Sequence, residues 1–129
     1  MQQAADWNEG VPLYRKPGLV RTRERGDELA ATLGNGSAAL LRGHGDVVVD
    51  QDVTRTVMRA VTLKQNAEVL HGVLAHGEPD YWTAHEASGW REMTGPGVSP
   101  EAAAALTGRI WEYYEARVNG RLERLLHPI

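Results

Sequence analysis

The stretch "SAALLRGHGDVVVD", residues 37–50, constrains this chain more than any other. Two short apolar runs flank a glycine-rich centre. Each run is too short for a helix, and the turn residues around them favour strands. The simplest arrangement is an antiparallel hairpin whose tip carries His44 between Gly43 and Gly45. A turn needs only Gly, Asn or Asp. The imidazole is therefore either an exposed turn residue or a chemical one. Glycine on each side lets the backbone approach a ligand closely, and a strand end holds a side chain more rigidly than a long loop does. The position suits a metal ligand. One imidazole does not make a site, because a catalytic zinc takes three protein ligands and keeps a fourth position open.

The rest of the chain reads as helices around this hairpin. Val11 to Tyr14 is a short extended segment, and Pro12 and Pro17 confine it to an edge strand or a loop because proline cannot donate to a ladder. Thr22 is placed as the N-cap of a helix with a stripe of Leu29, Ala30 and Leu33, stopped by Gly34, Asn35 and Gly36. The strongest helix follows the hairpin. Val53, Val57, Val61, Leu70 and Leu74 recur near helical spacing with Ala60 and Ala67 on the same face, Asp50 or Asp52 caps the start, and Gly77 and Pro79 close it. "YWTAHEASGWREM" predicts a shorter helix and "TGPGVSP" a loop. Ser99 as N-cap and Pro100 at the first helical position open a last helix. Its stripe is Leu106, Ile110, Tyr114, Val118, Leu122 and Leu125, and Gly120 is a point where it bends or breaks. The expectation is a layered α/β domain with a small, incomplete sheet.

Composition narrows the function classes. At 129 residues the chain is read as one domain, 1–129. It has no cysteine, which excludes disulfides, thiolate catalysis and Cys-based zinc sites. No apolar run approaches the roughly 18 residues of a membrane span, and the first ten residues lack the features of a signal peptide. No membrane partner and a cytoplasmic location are expected. A net charge of −3 argues against nucleic acid as a partner. Arg15, Lys16, Arg21, Arg23 and Arg25 form one basic stretch, which serves either as a solvated surface or as an attractor for an anionic substrate or a partner. His71 and His76 lie five apart, about 140° around a helix, and do not chelate together. His85 and His127 are isolated, and the spacing of Glu68, Glu86 and Glu92 singles none of them out.

In order along the chain stand a Val-Pro-hydrophobic segment from Val11, then Gly26, Leu29, Ala30, Leu33 and Gly34, then Gly43-His44-Gly45, a Val run, and Asn66-Ala67 in the following helix. This series resembles the C-terminal half of the class II aldolase/adducin family, from about Val11 to Gly77. The resemblance implies a partial α/β/α sandwich with a small, mostly antiparallel sheet flanked by helices, and assembly into oligomers. It implies a divalent metal, zinc foremost with iron, manganese or cobalt as alternatives, with His44 as one ligand. It also implies carbon–carbon lyase chemistry, either aldol cleavage or decarboxylation of a small anionic substrate. Arg42 is a candidate for holding that anion, and Tyr113 or Tyr114 for donating a proton.

The departures shape the expectation as much as the matches. The family's other ligands come from a His-x-His element with a catalytic Glu before it, and this chain has no His-x-His. Lys64 stands where many members carry a carboxylate, and Asp50 where a glycine often follows the Val run. Two readings result. In the first, the chain is half a lyase subunit, completed by a partner chain that brings the His-x-His pair and the Glu. In the second, the metal site is lost and the chain persists as a binding or structural protein, as adducin does. A homo-oligomer or hetero-oligomer is expected under both, because an incomplete sheet leaves a bare edge.

Overall fold

A computed structural model describes residues 6–94 and 100–126. The chain forms a three-stranded mixed sheet and a set of helices. The strands are β1 (Leu13–Tyr14), β2 (Ala38–Leu41) and β3 (Gly45–Val48), and the helices are α1 (Arg23–Leu33), α2 (Val53–Leu74), α3 (Ala84–Thr94) and α4 (Pro100–Leu126). The sheet order is β1-β2-β3, with β1 parallel to β2 and β2 antiparallel to β3. This is an α/β half domain, as the sequence implied.

β1 is short and lies at the edge, where its proline context puts it. Pro12 has no N–H to give, and the sheet uses only its carbonyl, which accepts from the Leu40 N–H at 2.8 Å. One residue pair on, Arg42 N–H donates to the Tyr14 carbonyl at 3.1 Å. Between β1 and β2 the chain makes α1. Thr22 Oγ1 accepts from the Arg25 N–H at 3.3 Å, Glu24 sits in the first turn, and the Gly34 N–H donates back to the Ala30 carbonyl. The N-cap and the stop both fall where the side-chain chemistry puts them.

The hairpin register pairs Ala38 with Val48, Ala39 with Val47, Leu40 with Asp46 and Leu41 with Gly45. Val49 N–H donates to the Ser37 carbonyl and extends the pairing by one bond. α2 starts at Asp52, whose Oδ1 accepts from the Arg55 N–H at 2.8 Å. Of the two candidate caps, Asp50 does something else. Its Oδ2 accepts from Arg59 Nε at 2.8 Å while Arg59 Nη1 donates to Ser37 Oγ at 3.0 Å. One guanidinium thus ties α2 to both ends of the hairpin. α2 ends at Leu74, before Gly77 and Pro79. Thr83 and Glu86 cap α3 reciprocally: the Thr83 N–H donates to Glu86 Oε2 and the Glu86 N–H donates to Thr83 Oγ1. Trp82 and Trp90 meet edge to face with ring centres 6.1 Å apart. α4 runs through Gly120 without a break, because neighbouring turns supply enough helix to carry one glycine. The expected "TGPGVSP" loop, the Ser99 cap and His127 lie outside the described residues.

The core is small. Among the described residues the buried apolar side chains are Tyr14, Ala38, Ala39 and Ala87. Two expectations change here. The hairpin strands are not buried throughout: Leu40 is 42% and Val49 40% exposed, with no further layer over them among the described residues. The apolar stripe of α2 is also largely uncovered, with Val53, Val57, Leu70 and Leu74 all exposed. Among the described residues, no helix is long and apolar enough to cross a membrane.

Candidate functional site

His44 stands at the tip of the hairpin, in the turn between the last pair of the ladder, Leu41 and Gly45. Its own N–H closes that turn by donating to the Leu41 carbonyl at 3.0 Å. Gly43 has φ of +80° and Gly45 of +127°, values that L-residues with a side chain rarely adopt. The glycines on either side of the imidazole are therefore demanded by the backbone. Their geometry fixes the Cα of His44 while leaving its side chain exposed. The result is a donor held at a defined point on a rigid element and open to whatever approaches.

Among the described residues, no group of three or more His, Cys, Asp or Glu is arranged to hold a metal. The chemistry of a single exposed imidazole fits one coordination position, and a catalytic centre of the usual kind needs two further protein donors. The remaining histidines are placed elsewhere. His71 is exposed at the end of α2, and Nδ1 of His76 lies 2.9 Å from the Gly72 carbonyl beyond the helix end. His85 is exposed on α3. Glu68 is paired with Lys64 one helical turn away, and Glu86 is occupied by Thr83, whose backbone and hydroxyl hydrogen bonds hold its carboxyl below the usual range. Glu92 is exposed on α3.

Arg42 leads into the hairpin tip and is exposed. Its Nη1 reaches the Arg15 carbonyl only at 3.5 Å, the outer limit of a hydrogen bond, so most of its donors stay available. The basic stretch is partly used up by the fold. Lys16 bonds to Glu28, which also accepts from the Tyr14 hydroxyl at 3.1 Å. The Lys16 hydrogen bond, chief among the causes, draws the Glu28 carboxyl down, and Glu28 in turn raises Lys16. Burial pushes the Tyr14 hydroxyl up, with Glu28 adding to the effect. Arg25 Nη1 donates to the carbonyls of Pro17 and Leu19, holding the loop before α1, and Arg23 lies 4.0 Å from Asp27. Among the described residues, Arg15 and Arg21 make no ion pair and face solvent.

Tyr113 and Tyr114 belong to a different place. They line an open cleft of about 490 Å³ between α2 and α4, together with Met58, Val61, Gln65 and Ile110, and neither His44 nor Arg42 is among its lining residues. Tyr114 Oη accepts from Gln65 Nε2 at 3.0 Å, and Tyr113 Oη accepts from Arg117 Nη1 at 2.8 Å. The two rings meet edge to face at 5.2 Å. The Tyr114 hydroxyl thus links α4 to α2, and the Tyr113 hydroxyl is engaged within α4.

Comparison with known proteins now fixes the class. The profile of the Class II Aldolase and Adducin N-terminal domain matches residues 1–71, and the chain belongs to that family. It is also similar to a 3,4-dihydroxyphthalate decarboxylase of Rhodococcus jostii (strain RHA1), with 26% identity over 108 residues. The matched region takes in 84% of this chain but 42% of the decarboxylase, so the chain spans less than half the length of that relative.

Proposed function

We propose that this chain is the His44-bearing half of a divalent-metal-dependent carbon–carbon lyase, and that the reaction is decarboxylation of a small anionic substrate. The observation that carries this reading is the hairpin tip, where two positive-φ glycines and a main-chain hydrogen bond hold one imidazole outward at a fixed point. Family membership and the decarboxylase relative support lyase chemistry, and the relative's reaction favours decarboxylation over aldol cleavage.

His44 would hold the metal through a neutral ring nitrogen. A bound divalent ion supplies Lewis-acid stabilisation for the negative charge left on substrate when a carbon–carbon bond breaks. Zinc suits an imidazole-rich donor set, as do iron and cobalt. Arg42, at the same end of the hairpin, would orient a substrate carboxylate through its unspent donors. The two missing donors and a proton-transferring carboxylate would come from a partner chain that covers the hairpin tip.

The test is capture of the native chain from its source cell, followed by metal analysis of the complex. A co-purifying polypeptide with a His-x-His element and about one metal ion per pair is expected. His44→Ala should leave the complex intact and remove most of the metal. Metal content unchanged in that variant would overturn the proposal. Capture of the chain without metal or partner would leave the binding or structural reading in its place.

A further inference from the structure

The cleft between α2 and α4 has no part in the hairpin-tip site, yet its walls combine what a small-molecule site needs. Its volume of about 490 Å³ falls within the roughly 300–1,000 Å³ of ligand pockets. Most of the wall is apolar. Met58 contributes from α2, and the rings of Tyr113 and Tyr114, edge to face at 5.2 Å, contribute from α4. An aromatic body placed against them gains ring–ring and sulfur–ring contacts that a saturated one lacks.

The cleft is also held at its width before any ligand arrives. Gln65 Nε2 donates to Tyr114 Oη at 3.0 Å, a bond that spans from α2 to α4. A preformed cleft saves the ordering cost that a ligand would otherwise meet. In this bond the tyrosine oxygen accepts, so the hydroxyl proton has no acceptor among the described residues.

Charge names the ligand. Arg109, Tyr113 and Arg117 recur in steps of four and share one face of α4. Arg117 is spent on its neighbour: Nη1 donates to Tyr113 Oη at 2.8 Å, and the guanidinium lies 5.6 Å from the centre of that ring. Arg109 lines the cleft and is exposed, and among the described residues it makes no hydrogen bond or ion pair. No Asp or Glu stands among the described lining residues. A guanidinium with unspent donors takes a carboxylate through two parallel hydrogen bonds, and aromatic rings beside it take a flat body.

We propose that the α2–α4 cleft binds a small aromatic carboxylate, with the carboxylate on Arg109 and the ring against Tyr113, Tyr114 and Met58. Neither His44 nor Arg42 lines this cleft, so the site stands or falls independently of the metal reading.

Titration of the isotope-labelled full chain with benzoate, followed by NMR, tests this. The shifts should saturate with a Kd on the order of 1 mM and gather on Gln65, Arg109, Tyr113 and Tyr114. Arg109→Gln should weaken binding at least about tenfold. Circular dichroism should stay unchanged in that variant, since the side chain ties down nothing among the described residues. Arg42→Ala should bind benzoate as the natural chain does. Benzyl alcohol, which lacks the charge, and cyclohexanecarboxylate, which lacks the aromatic ring, should each bind at least about threefold more weakly than benzoate. Shifts that do not saturate, or that gather at Arg42 and His44 instead, overturn the proposal. Benzoate binding that survives Arg109→Gln overturns it too, as does equal affinity for either of the other two compounds.

Discussion

The hairpin end of the molecule and the far end of α2 use apolar residues to opposite effect. Around the hairpin, few side chains are buried, yet each is tied: Ala38 and Ala39 lie under main-chain ladders, and Arg59 links Asp50 to Ser37. At the end of α2 the side chains are larger and more apolar, and they face water. The difference teaches that apolar content by itself does not make a core. A core needs opposing surfaces, and in this half domain the sheet has them while the end of the helix does not.

The contrast is broken most severely at Ala39, which is fully buried. Ala39→Asp places an unpaired charge in the buried layer of the sheet and should cost about 3–5 kcal/mol, enough to leave the chain unfolded. Circular dichroism at neutral pH would show the loss directly. Retention of a cooperative urea transition would mean that the sheet is not the stabilising element.

Arg59→Ala is the next largest. The Asp50 carboxyl is 11% and the Arg59 side chain 29% exposed, so removal of the guanidinium strands a nearly buried charge at a cost of about 2 kcal/mol. Burial by itself would raise the Asp50 carboxyl, but hydrogen bonds from the Gln51 N–H and from Arg59 overcome it and hold it low. A carboxyl lowered on folding binds fewer protons in the native state than in the unfolded one. Its contribution is therefore complete above the unfolded value, about pH 4, and is lost as pH falls through the lowered folded value. Urea midpoints measured from pH 5 downward should fall less steeply in Arg59→Ala than in the natural chain. Equal slopes would show that Asp50 is not the acid-sensitive group.

The smallest effect sharpens the comparison at α3. Thr83→Ala removes one half of the reciprocal cap with Glu86 and should cost about 1 kcal/mol, seen as a few degrees in thermal midpoint. The same change takes the Thr83 hydroxyl away from the Glu86 carboxyl but leaves the Thr83 N–H, the larger cause of its lowering, in place. A loss of about 3 kcal/mol or more, three times the usual cap, would show that α3 anchors more than itself.

Legibility followed range. Thr22, the glycines around His44 and the hairpin pairing were readable because each depends on neighbours within a few residues. The Thr83–Glu86 cap is equally local, spelled Thr-x-x-Glu in the sequence. The choice between Asp50 and Asp52 was not readable, since it turns on Arg59 reaching back to the sheet. Nor was the exposure of Val53 and Leu74: periodicity shows that a helix has an apolar face, and says nothing of whether a surface exists to meet it. The site was legible only in its one local part. His44 was placed by its glycines, whereas Tyr113 and Tyr114 entered only with the lyase resemblance and sit in the cleft between α2 and α4.

At the hairpin tip, turn closure draws on the main chain of residue 44 and asks nothing of its ring. That makes the imidazole a replaceable part on a fixed socket. Aspartate, asparagine or cysteine could be seated there at little cost to the scaffold, and each would retune the hardness of the electron-pair donor offered to an incoming cation. On the role proposed for His44, the metal preference of the assembly would be adjustable by a single codon.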